Sequence, residues 1–119
     1  MEGFKDSILY EDDNRLAINK PYNTVMHTTD PGDIAIQDYL NAYCKDLKNQ
    51  TFKPSFGYRL DKDTTGVLIA AKTFPALQFI NKIIRDREVS KNYIALVVGK
   101  FPDHVIIDKA LEKQFNEKT

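Results

Sequence analysis

Apolar and polar positions alternate with two different periods along the 119 residues. In "SILYEDDNRLAINKP", short apolar runs flank the cluster Asp12-Asp13-Asn14, which predicts two strands joined by a turn. Pro21 then takes the chain out of regular pairing. "TVMHT" has the character of another short strand, and "TDPGD" is a break. After it the period lengthens. Ile36, Leu40, Tyr43 and Leu47 form one stripe, predicting a helix over about 34–48 with Asp33 as N-cap. Cys44 lies beside that stripe as small core filler.

The second half repeats the alternation of types. "QTFKPSFGYRLD" reads as a loop entering a short extended piece. "GVLIAAK" is a strand, apolar enough to suggest burial on both faces. Thr73 caps a helix with Pro75 in its first turn, running to about Arg87 on a stripe of Leu77, Ile80, Ile83 and Ile84. "KNYIALVVGK" predicts a further strand, and "HVIID" another. The early hairpin argues against a purely parallel sheet. The fold class is α+β, a mixed and largely antiparallel sheet with flanking helices.

Composition narrows the picture. At 119 residues the chain makes one small domain with a real core. No apolar run approaches membrane-spanning length, and the N-terminus lacks the basic and apolar regions of a signal peptide. One cysteine makes no internal disulfide, which fits a reducing, cytoplasmic setting. With His27 and His104 far apart, a transition-metal site is not expected. The net charge is zero, but residues 45–100 carry 11 basic and 5 acidic side chains. That local excess suits either a polyanionic partner or a solvated face with offsetting charge elsewhere.

Three segments carry candidate chemistry. In "GYRLDKDTTGVLIAAK", residues two apart on an extended backbone face the same side, so Arg59 and Asp61 share a side with Leu60 opposite in the core. The paired charges favour an ionised Asp61, usable as nucleophile or base. Thr64 and Thr65 can bond local backbone or steady a carboxylate, and Gly66 permits a special conformation or a close approach. The plainer alternative is an Asx-rich turn with a surface ion pair. In "SKNYIALVVGK", Tyr93 on a strand can offer a ring to a base while Lys91 meets a phosphate; alternatively it is a half-buried strand tyrosine. In "INKPYNTVMH", Lys20 before a proline is a weak signal; the plainer reading is a solvated lysine at a strand end.

Taken together, the segments "AINKPYNTVMH", "YRLDKDTTGVLIAAK" and "KNYIALVVG" resemble, in order, the three motifs of the RluA-type pseudouridine synthases over roughly residues 7–100. The resemblance implies that Asp61 is the catalytic aspartate and that Tyr93 packs on the uracil. It implies that Arg59 fills the gap left by a flipped nucleotide, and that Lys20, Lys62, Lys91 and the basic middle segment contact RNA. The implied reaction isomerises uridine in ribosomal or transfer RNA, with no cofactor and no metal. Tyr58 stands where the family usually has His, and Thr65 where it has Ser. No segment like the family's later "GRxHQhR" motif follows Gly99, and no S4 domain precedes the matched region. The expected domain is therefore the N-terminal portion of a synthase catalytic domain over 1–119. Low activity alone and homodimerisation through an exposed sheet edge follow from that. Two other readings remain at this stage. One is a non-catalytic RNA-binding fragment. The other is a phosphatase, since "DKDTT" satisfies D-x-D-x-T, although no apolar strand precedes Asp61.

Overall fold

The computed structural model describes residues 3–46 and 51–112. A 3-10 turn at Lys5–Ser7 leads into strand β1 (Ile8–Glu11), followed by β2 (Arg15–Lys20), helix α1 (Ile36–Tyr43), β3 (Ser55–Phe56), β4 (Gly66–Ala71) and helix α2 (Phe74–Arg85). The four strands form one sheet in the order β1-β2-β4-β3, and every pairing within it is antiparallel.

The hairpin turn forms where the polar cluster predicts it. One Asp12 carboxylate oxygen accepts the backbone N–H groups of Asn14 and Arg15, both at 2.8 Å, and the other meets the Arg15 guanidinium at 3.0 Å. These bonds, that from Asn14 first, hold the Asp12 carboxyl down to a pKa of about 2. In β2, Leu16, Ile18 and Lys20 point inward and alternate with outward Arg15, Ala17 and Asn19. Leu68 and Ala70 of β4 join them on the same face, against Ile36, Leu40 and Cys44 of α1 and its C-terminal end, with Phe4, Met26 and Leu60 closing the core.

At the far end of β2 and β4 a second tie draws the hairpin onto α1. The buried Lys72 ammonium donates to Glu11 at 2.7 Å and to the Asp12 carbonyl at 2.9 Å. The other Glu11 oxygen accepts the Tyr43 hydroxyl at 2.6 Å. Lys72, though part of the basic middle segment, is thus spent inside the fold.

Several expectations are corrected. Helix α1 starts at Ile36 with Ala35 as N-cap and no side-chain cap bond. Asp33 instead folds the preceding loop, accepting the Thr29 and Asp30 N–H groups at 3.1 and 2.9 Å and the Thr29 hydroxyl at 3.2 Å. A carboxylate used three times by the Asp30-Pro31-Gly32 turn is not free to cap a helix. Leu47 lies outside the described residues. "TVMHT" contributes only a single parallel bridge, Val25 to Ala35. Strand β4 is fully buried on one face, at Leu68 and Ala70, whereas the other grades from Val67, 55% exposed, through half-buried Ile69 to buried Ala71.

Helix α2 does begin as predicted, the Thr73 hydroxyl accepting the Ala76 N–H at 3.3 Å, and it ends at Arg85. "KNYIALVVGK" and "HVIID" form no strand. A strand exists by pairing, and among the described residues the only ladders are those of β1 to β4. The alternation in "YIALVV" therefore stands unpaired, with Ile94, Leu96 and Val98 fully exposed along one side.

Candidate active site

The register of the central pair brings two distant segments together. β2 and β4 pair from Arg15 opposite Ala71 to Lys20 opposite Gly66. The last residue of β2 thus sits beside the first of β4, and the turn leading into β4 lies over the loop leaving β2. Gly66, at φ +133°, takes a conformation that disfavours any side chain as the turn becomes strand.

Within that turn the Thr64 N–H donates to the Asp61 carbonyl at 3.0 Å. Leu60 is buried in the core, while Arg59 and Asp61 are exposed, so the alternation puts both charges on the outer side. They do not pair: no ion pair joins Arg59 to Asp61 among the described residues. The expected mutual stabilisation is corrected, because adjacent exposed side chains gain little by closing on each other in water. The threonine hydroxyls of the turn bond no carboxylate among the described residues.

The turn is held from beneath. The Lys62 carbonyl accepts the Thr24 N–H at 3.3 Å and the Lys20 ammonium at 3.2 Å. Lys20 also donates to the carbonyls of Pro21 (2.9 Å) and Thr24 (2.8 Å), and the residue is 0% exposed. The reading of a solvated lysine at a strand end is thereby corrected, and the RNA contact implied for Lys20 finds its ammonium already committed to three carbonyls. Burial lowers its pKa below the ordinary lysine value, while the charges of Asp63 and Asp61 pull it back up. The strand pattern held a signal for this: position 20 continues the inward-facing series 16, 18, 20. Lys62 itself projects outward, near enough to Asp33 to help keep that carboxyl ionised, behind the backbone bonds that dominate there.

A groove of about 860 Å³ opens beside the turn. It is lined by Asp63, Thr64, Thr65 and Gly66 of the turn, by Tyr58 and Tyr93, and by Ile80, Ile83 and Ile84 of α2. The Tyr58 hydroxyl donates to the Val67 carbonyl at 2.7 Å, closing the base of the loop that carries Asp61. The Lys91 ammonium lies 5.5 Å from the centre of the Tyr58 ring. Burial is the main cause raising the Tyr58 pKa. Tyr93 remains 62% exposed. The structure therefore brings Tyr93, Lys91 and Asp63 to one groove, with Asp61 and Arg59 on the turn at its edge rather than in its lining. The sequence marks Tyr58 only as standing where the family usually has His; its hydroxyl bond to Val67 and its contact with Lys91 depend on the fold and carry no sequence signal.

The model of the family described as RNA pseudouridylate synthase matches residues 14–119. The chain belongs to this family. Ribosomal large subunit pseudouridine synthase D of Borreliella burgdorferi is 38% identical over 80% of the chain and 31% of its own length. The synthase D of Vibrio cholerae is 36% identical over 95% of the chain and 35% of its own length. Synthase C of Escherichia coli K12 is 37% identical over 84% and 30%, respectively. The human protein RNA pseudouridylate synthase domain containing 4 superposes with a TM-score of 0.60 at 31% identity, covering 73% of this chain and 32% of its own. The chain spans about a third of the length of these relatives. The RluA-type resemblance of the three motifs stands, and a pseudouridine synthase is an isomerase, so the D-x-D-x-T phosphatase reading is not favoured.

Proposed function

We propose that this chain carries the catalytic-aspartate portion of an RNA pseudouridine synthase, acting on uridine in ribosomal or transfer RNA. The observation that carries the proposal is the Asp61 turn. It is an exposed carboxylate on a backbone pinned by Leu60 below, by the Lys62 carbonyl bonds to Lys20 and Thr24, and by the Tyr58 hydroxyl at its base. Asp61 acts as nucleophile or base while the glycosidic bond from N1 to C1′ breaks. The uracil turns in the site, C5 bonds to C1′, the C5 proton leaves and N1 gains one. Atoms and electrons balance without an external reagent. Tyr93 packs on the base, Arg59 occupies the space the flipped nucleotide vacates, and exposed Lys62 and Lys91 meet phosphates. A cytoplasmic setting is part of the proposal.

The chain alone is proposed to turn over little RNA, because the apolar side of residues 94–98 has no partner among the described residues. The same unpaired segment makes self-association through a strand edge part of the proposal, checked by sedimentation across a range of concentrations. The activity test uses RNA labelled with tritium at C5 of uridine. The 119-residue chain should release little label. A chimera with the remaining two-thirds of the E. coli relative should release it in an Asp61-dependent way. A folded chimera that binds RNA but releases none, or release that survives Asp61→Asn, overturns the proposal.

A further inference from the structure

Helix α2 ends on an unusual residue. Its last turn closes with the two bonds of a left-handed helix cap: the Arg87 N–H donates to the Ile84 carbonyl at 3.1 Å, and the Glu88 N–H to the Ile83 carbonyl at 2.8 Å. That closure puts Arg87 in the left-handed region, at φ +55°. The position is ordinarily filled by glycine, because a Cβ is crowded there, and asparagine is the common substitute. The other described non-glycine residue at positive φ is an asparagine, Asn23. An arginine has no such backbone advantage. Nor does it serve the fold by pairing: Arg87 is exposed, and no ion pair reaches it among the described residues. The neighbouring Asp86 carboxylate is taken by Arg85 at 3.3 Å. A positive charge at a helix end complements the dipole, but Lys82 and Arg85 already supply it in the last turn. The fold leaves the guanidinium of Arg87 without a use.

We propose that Arg87 is a phosphate-binding residue for RNA, bordering the groove beside the Asp61 turn. Its placement carries the assignment. The two carbonyls that close the cap belong to Ile83 and Ile84, which line that groove, and the chain leaving the cap lines it from Val89 to Ala95. In that stretch Lys91 lies over the Tyr58 ring, and Tyr93 lines the same groove. Arg87 therefore stands one short segment before the residues that meet the target nucleotide. It is carried on a turn fixed by two backbone bonds rather than on a free loop. A guanidinium is always charged, is weakly hydrated and presents a fork of donors that matches a phosphate. The inference rests on RNA being the substrate, and it adds a contact that lies outside the three motifs.

Two measurements on the 119-residue chain test it, with effects of opposite sign. Arg87→Gly should unfold at a higher urea midpoint than the parent, in salt that screens the charge at the helix end, because glycine relieves the left-handed position. The same variant should bind a fluorescein-labelled, uridine-rich RNA stem-loop about three- to tenfold more weakly. Its slope of log affinity against log salt should be shallower by about 0.7–0.9, the share of one phosphate contact. Arg87→Lys should keep the slope. Arg15→Gln removes one charge at the opposite end of the β2–β4 ladder from Gly66, and should leave slope and affinity in place. An unchanged slope in Arg87→Gly, an equal loss in Arg15→Gln, or a parent chain that binds no RNA overturns the proposal. A lowered urea midpoint in Arg87→Gly means that the arginine serves the helix end, and overturns it as well. Uridine conversion by the chimera is read separately. Label released by a chimera whose RNA binding ignores Arg87→Gly defeats this inference alone. Weakened binding in a chimera that releases none defeats the functional proposal and leaves the phosphate site standing.

Discussion

Gly57→Ala tests the contact that sets the approach to the site. Gly57 is not in a left-handed conformation, so the backbone alone would tolerate alanine. On that ground the substitution would stabilise by about 0.4–1 kcal/mol, by restricting the unfolded chain. The space says otherwise. An added Cβ would land on Cγ2 of Ile80 and lie 3.2 Å from its Cβ. Ile80 is the buried residue of α2, and the Gly57 N–H is committed to the Ile69 carbonyl at 3.1 Å, so neither side yields freely. Overpacking of this kind costs about 1–3 kcal/mol. The steric term wins, and Gly57→Ala should lower stability by about 1–2 kcal/mol net. Ile80→Ala removes the obstructing methyl and should cost about 2–4 kcal/mol by itself. In the double variant the new methyl occupies the vacated space, so the total should fall short of the sum by about 1 kcal/mol or more. Urea unfolding followed by circular dichroism measures all four corners of the cycle. A Gly57→Ala chain as stable as the parent, or strict additivity in the double variant, refutes the reasoning.

Glu11 has a pKa held below its ordinary value of 4.5, first by the hydrogen bond from Lys72 and then by that from Tyr43. A depressed folded value contributes stability that is present above the unfolded pKa and lost as pH falls through the folded one, so the chain should weaken on acidification below about pH 4.5. Glu11→Gln should flatten that slope in acid unfolding curves. Tyr43, pushed up to about 12 chiefly by its bond to Glu11, should be among the last phenols to ionise in an ultraviolet titration, and its signal should move to lower pH in Glu11→Gln. Tyr58→Phe removes the bond to the Val67 carbonyl and should cost about 1 kcal/mol, with faster exchange confined to residues 58–67. Limited chymotrypsin digestion should cut first after Tyr93 or Leu96, whose segment pairs with no strand among the described residues, and last within β2 or β4.

Legibility in the sequence followed the range of the forces involved. The Asp12 turn, the Thr73 cap and the inward stripe of α1 are local, and each was readable because a few neighbouring residues decide it. Asp33 was misread for the same reason: two local uses competed for one carboxylate, and spacing does not say which loop geometry wins. The segment "YIALVV" has the pattern of a strand, but pattern records which faces alternate and not whether a partner is present. At the site, the outward placement of Arg59 and Asp61 about Leu60 was legible from a period of two. The Lys20 bond to the Lys62 carbonyl was not, because it spans 42 residues and depends on the register of β2 against β4.

That register explains why the first two motifs function as a unit. Lys20 opposite Gly66 makes the end of one motif the neighbour of the other, and the pairing from Arg15 to Ala71 leaves no slack. A slip of one residue would turn Leu16, Ile18 and Lys20 to the outer face and expose the core. A slip of two would keep the faces but carry the Lys20 ammonium about one residue pair, some 7 Å, away from the Lys62 carbonyl. Only one register both buries the apolar face of β2 and places the lysine under the turn. The hydrophobic pattern and the hydrogen bonds of the site therefore select the same pairing. The third segment has no such lock: Lys91 reaches the Tyr58 ring, yet Tyr93 stays 62% exposed. A sheet partner for residues 94–98 would supply the missing constraint, and its addition should order Tyr93 without altering the β2–β4 ladder. Amide exchange on the chimera, compared with the 119-residue chain, reads both effects at once. Slowed exchange at residues 93–98 with an unchanged ladder is expected; a shifted ladder would show that the Asp61 turn is not preorganised in this chain.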